Sequence, residues 1–274
     1  MKWPFVSKKS FALIFVLVLA LVGVSAWIVL ARVQGERVMA LGAEGRGARM
    51  AGFPRLILWA WERPERLDFI DPRAVGVAFL SKTIYLREDK VIERPRMQPL
   101  KVPQGTTLVA VVRIETVRDA PPLLSTTQRA EVVKALAEAS RAPNVSVLQI
   151  DFDALTSERE FYAKLLEDVR QQLPKAMPLS ITALASWCMD DNWLDKLPVD
   201  EAVPMLFRMG VDEKRIRGFI NEGGQFRSPL CRLSKGVSTD EPVKLASTEL
   251  RTYVFHTQAW TERSVQSVIQ KEPK

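Results

Sequence analysis

Two aspartates, Asp151 and Asp153, stand two residues apart at the end of the apolar stretch V-S-V-L-Q-I-D-F-D-A, residues 145–154. Successive side chains of a strand point to opposite faces, so both carboxylates are predicted on one face, with apolar side chains on the other. Carboxyl groups held this close raise one pKa of the pair. A protonated carboxyl beside an ionised one suits glycosidic cleavage, because one protonates the leaving oxygen while the other supplies negative charge.

A structural role for the same pair is the alternative. Arg113 and Glu115 share a face at the end of an earlier predicted strand, and Arg208 ends a later one. These arginines either neutralise the two aspartates or clamp an anionic substrate. The sequence leaves open whether Asp151 and Asp153 are catalytic or form the centre of a structural ion-pair network.

Three further side chains are candidates for the same site. Glu62 ends the first predicted strand and is either a second carboxylate near the substrate or a surface partner of a neighbouring arginine. Trp187 follows the fifth predicted strand and is the best candidate to stack on a sugar ring, with core packing as its alternative. His256, the one histidine of the chain, is either a proton shuttle or a structural group at the end of the eighth strand.

The two cysteines, Cys188 and Cys231, are a disulfide candidate, with two free buried thiols as the alternative. Neither lies in a spacing typical of metal ligands, so we predict no metal site. No glycine-rich phosphate-binding loop follows the first predicted strand, and we predict no cofactor. A serine hydrolase is disfavoured, because its triad would need His256 and the sequence has no G-x-S-x-G elbow.

The elements that would position these residues alternate between strands and helices or helix-length connections. Strands are predicted at 55–61, 75–80, 107–114, 145–154, 178–184, 201–207, 235–238 and 252–256. This alternation predicts a parallel sheet, and eight strands predict its closure into a single (β/α)₈ barrel of the TIM type over residues 55–274. Residues 83–96 are predicted to form a small hairpin insertion. In such barrels the chemistry lies at the carboxyl ends of the strands.

The N-terminus has the features of an export segment. Lysines in residues 1–10 precede an apolar run over residues 11–31, which is long enough to span a bilayer. Positive charge before the run holds that end in the cytoplasm, so the rest is predicted to lie in the periplasm, anchored to the bacterial inner membrane by one helix. Cleavage after Ala26, which would release the domain, is the alternative. Residues 32–54, rich in Gly, Ala and Arg, are predicted to be a linker.

The charge of the chain favours no nucleic-acid partner. The net charge is +7 over 274 residues and the pI is about 9.5. Basic residues are scattered among acidic ones rather than gathered into a stripe with aromatic residues, so a solvated basic surface is the simpler interpretation. The predicted partners are a polysaccharide or other glycan, the inner membrane and, as an alternative, a protein of the envelope.

Five segments of the chain resemble an exported bacterial family called domain of unknown function 3142. They are L-W-A-W-E-R-P-E (58–65), Q-I-D-F-D-A (149–154), P-L-S-I-T-A-L-A-S-W-C (178–188), V-D-E-A-V-P-M-L-F-R-M-G (199–210) and G-V-S-T-D-E-P (236–242). The resemblance covers about residues 56–261. That family has no established activity, so this resemblance implies no function.

A more distant resemblance does imply chemistry. Residues 150–153, I-D-F-D, are similar to the I-D-W-E that ends the fourth strand of chitinase-like glycoside hydrolases, and L-S-I at 179–181 is similar to their fifth strand. The resemblance implies that Asp153, one methylene shorter than their Glu, stands at the position of the catalytic acid. Their sixth strand carries M-x-Y-D, where this chain has Phe207 and Arg208 in place of Tyr and Asp. A hydroxyl is thereby lost and a cation replaces a carboxylate.

Two functions are consistent with these features. The first is an exported, membrane-anchored barrel similar to glycoside hydrolases, which acts on a polysaccharide through Asp153 and Asp151. The second is a non-catalytic carbohydrate-binding or envelope assembly protein on a barrel whose glycosidase activity has been lost, as the departures at Phe207 and Arg208 suggest.

Overall fold

The computed structural model describes residues 48–243 and 250–271. Within them, eight parallel strands follow one another around a closed ring in the order β1-β3-β6-β7-β8-β9-β10-β11, and β11 returns to β1. The strands are β1 (Leu56–Ala60), β2 (Glu65–Arg66), β3 (Val75–Arg87), β4 (Lys90–Pro95), β5 (Leu100–Lys101), β6 (Leu108–Thr116), β7 (Val145–Asp151), β8 (Leu179–Leu184), β9 (Glu201–Met205), β10 (Ser234–Ser238) and β11 (Arg251–Phe255). The predicted TIM-type barrel is confirmed.

Helices accompany only part of this ring. They are α1 (Thr126–Ser140), α2 (Arg159–Gln172), α3 (Ala185–Asp190), α4 (Glu213–Asn221) and α5 (Glu262–Lys271). Each follows a barrel strand, namely β6, β7, β8, β9 and β11. The connections after β1 and β3 contain no helix; they hold β4 and the short parallel pair of β2 and β5. The first third of the barrel therefore departs from strict strand–helix alternation.

The second barrel strand is longer than its sequence pattern predicts. Residues 75–80 and 83–86 form one strand, β3, which continues through a shift in register between Leu80 and Lys82. Strand β4 pairs antiparallel with the second half of β3, so the hairpin is an extension of a barrel strand. The side-chain amide of Gln128, in α1, donates hydrogen bonds to the carbonyl oxygens of Glu88 and Lys90 and fixes the turn of this hairpin.

The alternation of side chains along β7 shows how the barrel is packed. Leu148 and Ile150 point outward into a cluster that contains buried residues of α1 and α2. Val147 points inward, where it packs with Trp59, Tyr253 and other apolar side chains of the barrel interior. Because the pleat alternates with period two, the next inward positions on β7 are Gln149 and Asp151.

A polar layer lies inside the barrel below its carboxyl end. The amide of Gln149 accepts a hydrogen bond from Trp59 Nε1 at 3.1 Å and donates to Ser180 Oγ at 3.0 Å. Ser180 donates in turn to Glu201 at 3.1 Å, and Arg251 pairs with Glu201 at 3.1 Å. These buried polar groups are hydrogen-bonded, as a stable interior requires, and they hold the indole of Trp59 in place.

The N-terminal export segment and most of the predicted linker, residues 1–47, lie outside the described residues. In the portions 48–243 and 250–271, no helix has the length and apolar character needed to cross a membrane.

Candidate active site

A cavity of about 280 Å³ opens at the carboxyl ends of the barrel strands. The residues that line it include four aromatic residues, three acids and two arginines: Trp59, Trp61, Phe207, Phe255, Asp151, Asp153, Asp212, Arg113 and Arg208. This is the face on which the enzymes of this fold place their active sites. The structure thus brings together the two aspartates and two arginines that the sequence singled out.

Asp151 is held by groups on both neighbouring strands. Its partner in the register of β6 is Arg113, whose Nη1 lies 3.7 Å from Asp151 Oδ2. Thr182, on β8, donates a hydrogen bond to Asp151 Oδ1 at 2.7 Å. Burial raises the pKa of Asp151, while the hydrogen bond from Thr182 and the charge of Arg113 oppose the increase. The carboxyl is thus fixed in orientation at the floor of the cavity.

Asp153 follows the end of β7 and lines the mouth of the same cavity. No described residue forms a hydrogen bond with its carboxyl or an ion pair within 4 Å of it, in contrast to Asp151. Although the residue as a whole is exposed, partial burial of its carboxyl, and next the charge of Asp151, raise its pKa to about 6. Near neutral pH, both its protonated and its ionised forms are therefore populated.

The raised pKa of Asp153 predicts a pH-dependent gain in stability for Asp153→Asn. Below about pH 4 the wild-type carboxyl is protonated in both the folded and the unfolded chain. As pH rises towards 6 it ionises first in the unfolded chain, so this carboxyl destabilises the fold by an amount that becomes constant above pH 6. Asparagine lacks this cost. We expect the variant to match wild type near pH 4 and to exceed it at pH 7.5 by about 1 kcal/mol, after allowance for solvent screening of an exposed side chain.

Urea unfolding of both proteins at pH 4, 5, 6 and 7.5 checks this expectation. Asp168→Asn is a matched control, since Asp168 lies on α2 and pairs with Arg129 at 2.8 Å, away from the cavity. A difference between Asp153→Asn and wild type that is the same at pH 4 and pH 7.5 would contradict the raised pKa.

Aromatic rings form the opposite side of the cavity. Phe207 and Phe255 stack with 5.6 Å between their centroids and 5° between their planes, and Trp61 meets Phe255 edge-on at 6.4 Å. Trp59 lies against Phe207 at 6.1 Å. The guanidinium of Arg96 donates to the carbonyl oxygens of the segment after β1, including that of Trp61, and so holds this segment in place. Flat apolar faces of this kind suit the packing of sugar rings.

The structure places the other candidates away from this cavity. Glu62 is exposed and lies 3.7 Å from Arg94. Glu115 is not part of the cavity wall and instead pairs with Arg113 at 2.5 Å. His256 lies between Thr239, whose hydroxyl is 2.7 Å from Nδ1, and the ring of Trp260. Of these, only Glu115 reaches the site, through Arg113.

The stacking role expected for Trp187 does not fit its position. Trp187 is 4% exposed, belongs to the outer core and packs edge-on against Trp193 at 5.0 Å. The reason is that β8 ends at Leu184 and α3 begins at once, which turns the indole outward from the barrel. The neighbouring Cys188 is joined to Cys231 by a disulfide with 5.9 Å between the Cα atoms.

Several residues of the cavity wall were missed by sequence reasoning, among them Thr182, Phe255 and Asp212. Thr182 could have been found from the sequence, because Ser180 and Thr182 alternate with apolar residues on β8 and so share one face of the strand. Polar side chains on one face of a strand indicate a functional or hydrogen-bonded interior. Phe255 had no such signal, since its role depends on meeting Phe207 and Trp61 across the mouth of the barrel.

One buried hydroxyl near the aspartates has no hydrogen-bond partner among the described residues. Tyr162, on α2, packs edge-on against Phe152 at 5.1 Å, and its hydroxyl makes no hydrogen bond with the described residues. Burial, and then the charges of Asp151 and Asp153, raise the pKa of Tyr162 well above its ordinary value, so it remains neutral.

The described ranges contain no group of three or more His, Cys, Asp or Glu side chains that could hold a metal ion.

Comparisons with known proteins agree with this architecture. Residues 104–206 match the model of a family described as Domain of unknown function (DUF3142). The matched segment runs from just before β6 to just after β9 and includes Asp151 and Asp153. The predicted resemblance to this family is therefore confirmed for that segment. The sequence matches none of the curated proteins.

Among solved structures, the barrel is similar to a putative chitinase A from Streptomyces coelicolor, with 9% identity, a TM-score of 0.53 and coverage of 80% of this chain and 97% of that chain. The spore cortex-lytic enzyme SleL of Bacillus cereus has 15% identity and a TM-score of 0.44, with coverage of 67% and 50%. The GH113 β-mannanase AaManA of Alicyclobacillus acidocaldarius has 9% identity and a TM-score of 0.43, with coverage of 80% and 92%. The chain spans only half the length of SleL. The chain therefore combines a match to the DUF3142 family model over residues 104–206 with a (β/α)₈ barrel whose fold is similar to that of a putative chitinase A.

Proposed function

We propose that this protein is a glycoside hydrolase that cleaves a polysaccharide of the cell envelope. One observation carries the proposal: Asp153, with a pKa of about 6, stands beside the buried Asp151 in an aromatic-walled cavity at the carboxyl end of the barrel. An acid that remains partly protonated near neutral pH, next to a second carboxyl group in a different environment, is the arrangement that glycosidic cleavage uses.

In the proposed reaction, Asp153 donates its proton to the glycosidic oxygen as the bond from that oxygen to the anomeric carbon breaks. Asp151, oriented by Thr182 and Arg113, stabilises the positive charge that develops on the sugar. A water molecule adds to the anomeric carbon and its proton returns to Asp153. The products are a free reducing end and a free hydroxyl, and the carboxyl group is restored.

The N-terminal segment supports a location in the envelope. Residues 1–31 combine lysines with a long apolar run, and the barrel contains a disulfide, a bond that persists in oxidising compartments. We propose that one helix anchors the chain in the inner membrane with the barrel in the periplasm, cleavage after Ala26 being the alternative. Membrane fractionation and the mass of the mature chain distinguish the two, and a full-length chain in the cytosolic fraction would contradict both.

A panel of bacterial envelope glycans, chitin and plant polysaccharides tests the enzyme. Wild-type protein, as the full-length chain in a non-ionic detergent, is expected to release reducing ends from at least one glycan and to unfold at a higher temperature in its presence. Absence of product from every glycan would contradict the proposal of an enzyme.

The second candidate function is a sugar-binding barrel without catalysis. It is favoured by Phe207 and Arg208, which line the cavity where chitinase-like hydrolases are expected to carry a hydroxyl and a carboxylate. In the same panel, this candidate predicts a thermal shift without release of reducing ends. Product release that falls by about 10²-fold or more when Asp153 is replaced would exclude it.

A further inference from the structure

Arg208 is the cavity residue whose backbone departs most clearly from an ordinary loop. It follows β9 with φ of 51°, in the left-handed region that residues other than glycine seldom adopt. Such a conformation is strained in residues other than glycine and persists where surrounding contacts impose it. Here the backbone N–H of Arg208 donates to Glu241 Oε2 at 2.9 Å. The chain thus holds a long cationic side chain at a fixed point on the cavity wall.

The guanidinium of Arg208 rests on the aromatic side of the cavity. Its central carbon lies 5.1 Å from the centroid of Phe255, which is stacked on Phe207. Within the described ranges, no carboxylate comes within 4 Å of this guanidinium and no acceptor takes a hydrogen bond from it. The N–H groups of Arg208 therefore remain available to a ligand.

The other charged groups of the cavity differ from Arg208 in this respect. Arg113 pairs with Glu115 at 2.5 Å and with Asp151 at 3.7 Å, while Asp212 pairs with Arg215 at 3.0 Å. Among the described residues of the cavity, Asp153 is the one acid without an ion-pair partner, and Arg208 is the one cation without an ion-pair partner. The hydroxyl oxygens of a neutral sugar could accept single hydrogen bonds from the guanidinium but would leave its charge unpaired, whereas a carboxylate could accept two parallel hydrogen bonds and neutralise that charge.

We propose that Arg208 binds a carboxylate substituent on the sugar ring, so that the cavity selects acidic glycans over neutral ones. This inference rests on the proposed function, because it assumes that the ligand is a glycan bound beside Asp153. Uronic acids, with a carboxylate at C6, and lactyl ethers, with one attached at C3, are two kinds of sugar that carry the required group. Their carboxylates have the same chemistry but different positions on the ring.

Two pairs of oligosaccharides isolate the carboxylate. Cellohexaose is compared with its C6-oxidised counterpart, a glucuronic acid hexamer, and chitotetraose is compared with peptide-free glycan that alternates N-acetylglucosamine and N-acetylmuramic acid. Binding is measured by calorimetry at pH 7.5 on full-length Asp153→Asn protein, in which the proposed acid is absent and turnover should be slowed by at least about 10²-fold. The second protein carries Arg208→Gln in addition.

We expect the acidic member of at least one pair to bind ten-fold or more tightly than the neutral member, as a charge-assisted bidentate contact requires. Arg208→Gln is expected to remove this preference while affinity for the neutral member changes less than about two-fold. Arg208→Lys, which keeps the charge but loses the planar fork, should retain only part of it. Arg73→Gln is the control, because its side chain is 92% exposed in the loop that enters the barrel at the opposite end.

The outcomes separate the inference from the function on which it rests. Equal affinity within both pairs, or a preference that survives Arg208→Gln, overturns the inference alone. The same holds if none of the four probes binds while wild-type protein releases reducing ends from a neutral polysaccharide. If no probe binds and no glycan of the wider panel is cleaved, both are overturned.

Discussion

Replacement of Asp153 by asparagine is expected to lower kcat by about 10²- to 10⁴-fold, which is the contribution of a positioned general acid. Asparagine has the shape of the carboxyl group but no proton to give to the glycosidic oxygen. The fold should persist, since no hydrogen bond or ion pair of the described residues depends on this side chain and the residue is exposed. Release of reducing ends from the best glycan of the panel, measured at equal concentrations of folded protein, checks the loss.

The pH dependence of the proposed activity in the wild-type protein provides a second test of the role proposed for Asp153. A general acid must be protonated to act, so kcat/KM should fall as pH rises through about 6, the pKa of Asp153 in the ligand-free protein. Asp153→Glu, which restores the acid on a longer side chain, should recover part of the activity. Glu62→Gln is the matched control, because Glu62 is exposed and lies outside the cavity wall. Turnover that survives in Asp153→Asn would remove Asp153 from the mechanism.

The strand that carries the two aspartates could be predicted because its information is local. Along β7 the outward positions Leu148 and Ile150 are apolar, and the inward positions become polar towards the carboxyl end. This period of two fixes the face of each side chain without knowledge of the neighbouring strands. The conclusion that Asp151 and Asp153 share one cavity therefore required only the strand assignment. Arg113 could be added because it ends another strand of the same parallel sheet.

The positions of the misplaced candidates depend on where a strand ends and on which element comes next. Trp187 lies three residues beyond β8, but α3 begins at once and carries the indole into the core. His256 comes directly after β11, yet it is held by Thr239 and Trp260 beside the barrel mouth. An offset of one or two residues at a strand end decides whether a side chain faces the cavity, and sequence patterns define element boundaries less well than element cores.

Contacts between elements that are far apart in the sequence could not be predicted from the sequence pattern. Phe207, just after β9, stacks on Phe255, at the end of β11. Nothing in the sequence around either phenylalanine indicates that the other is its stacking partner. The extent of β3 could not be predicted either. Its apolar pattern is interrupted at Ser81 and Lys82 and therefore predicts two strands. In the structure, pairing with β6 on one side and with β4 on the other forms a single continuous strand. Tertiary pairing overrides local preference at such positions.

The disulfide between Cys188 and Cys231 is expected to stabilise the barrel by about 3–4 kcal/mol. It joins α3 to the short helical turn Pro229–Arg232 across a sequence separation of 43 residues, and the loss of chain entropy in the unfolded state grows with the length of such a loop. Cys188→Ala/Cys231→Ala should therefore unfold at a markedly lower urea concentration than wild type. The enclosed segment contains β9 and Arg208, so the bond also ties one wall of the cavity to the outer core.

A reductant separates this effect from the loss of two buried side chains. Both cysteines are almost fully buried, so alanine also removes packing at each position. Dithiothreitol should lower the unfolding midpoint of wild type towards that of the double variant and leave the variant itself unchanged. A wild-type midpoint that is the same with and without reductant, at a concentration that yields two free thiols after unfolding, would show that the bond contributes little. Because the closed loop carries Arg208 but not Asp153, reduction under folding conditions should weaken the proposed selectivity for acidic glycans before it affects the proposed proton donation.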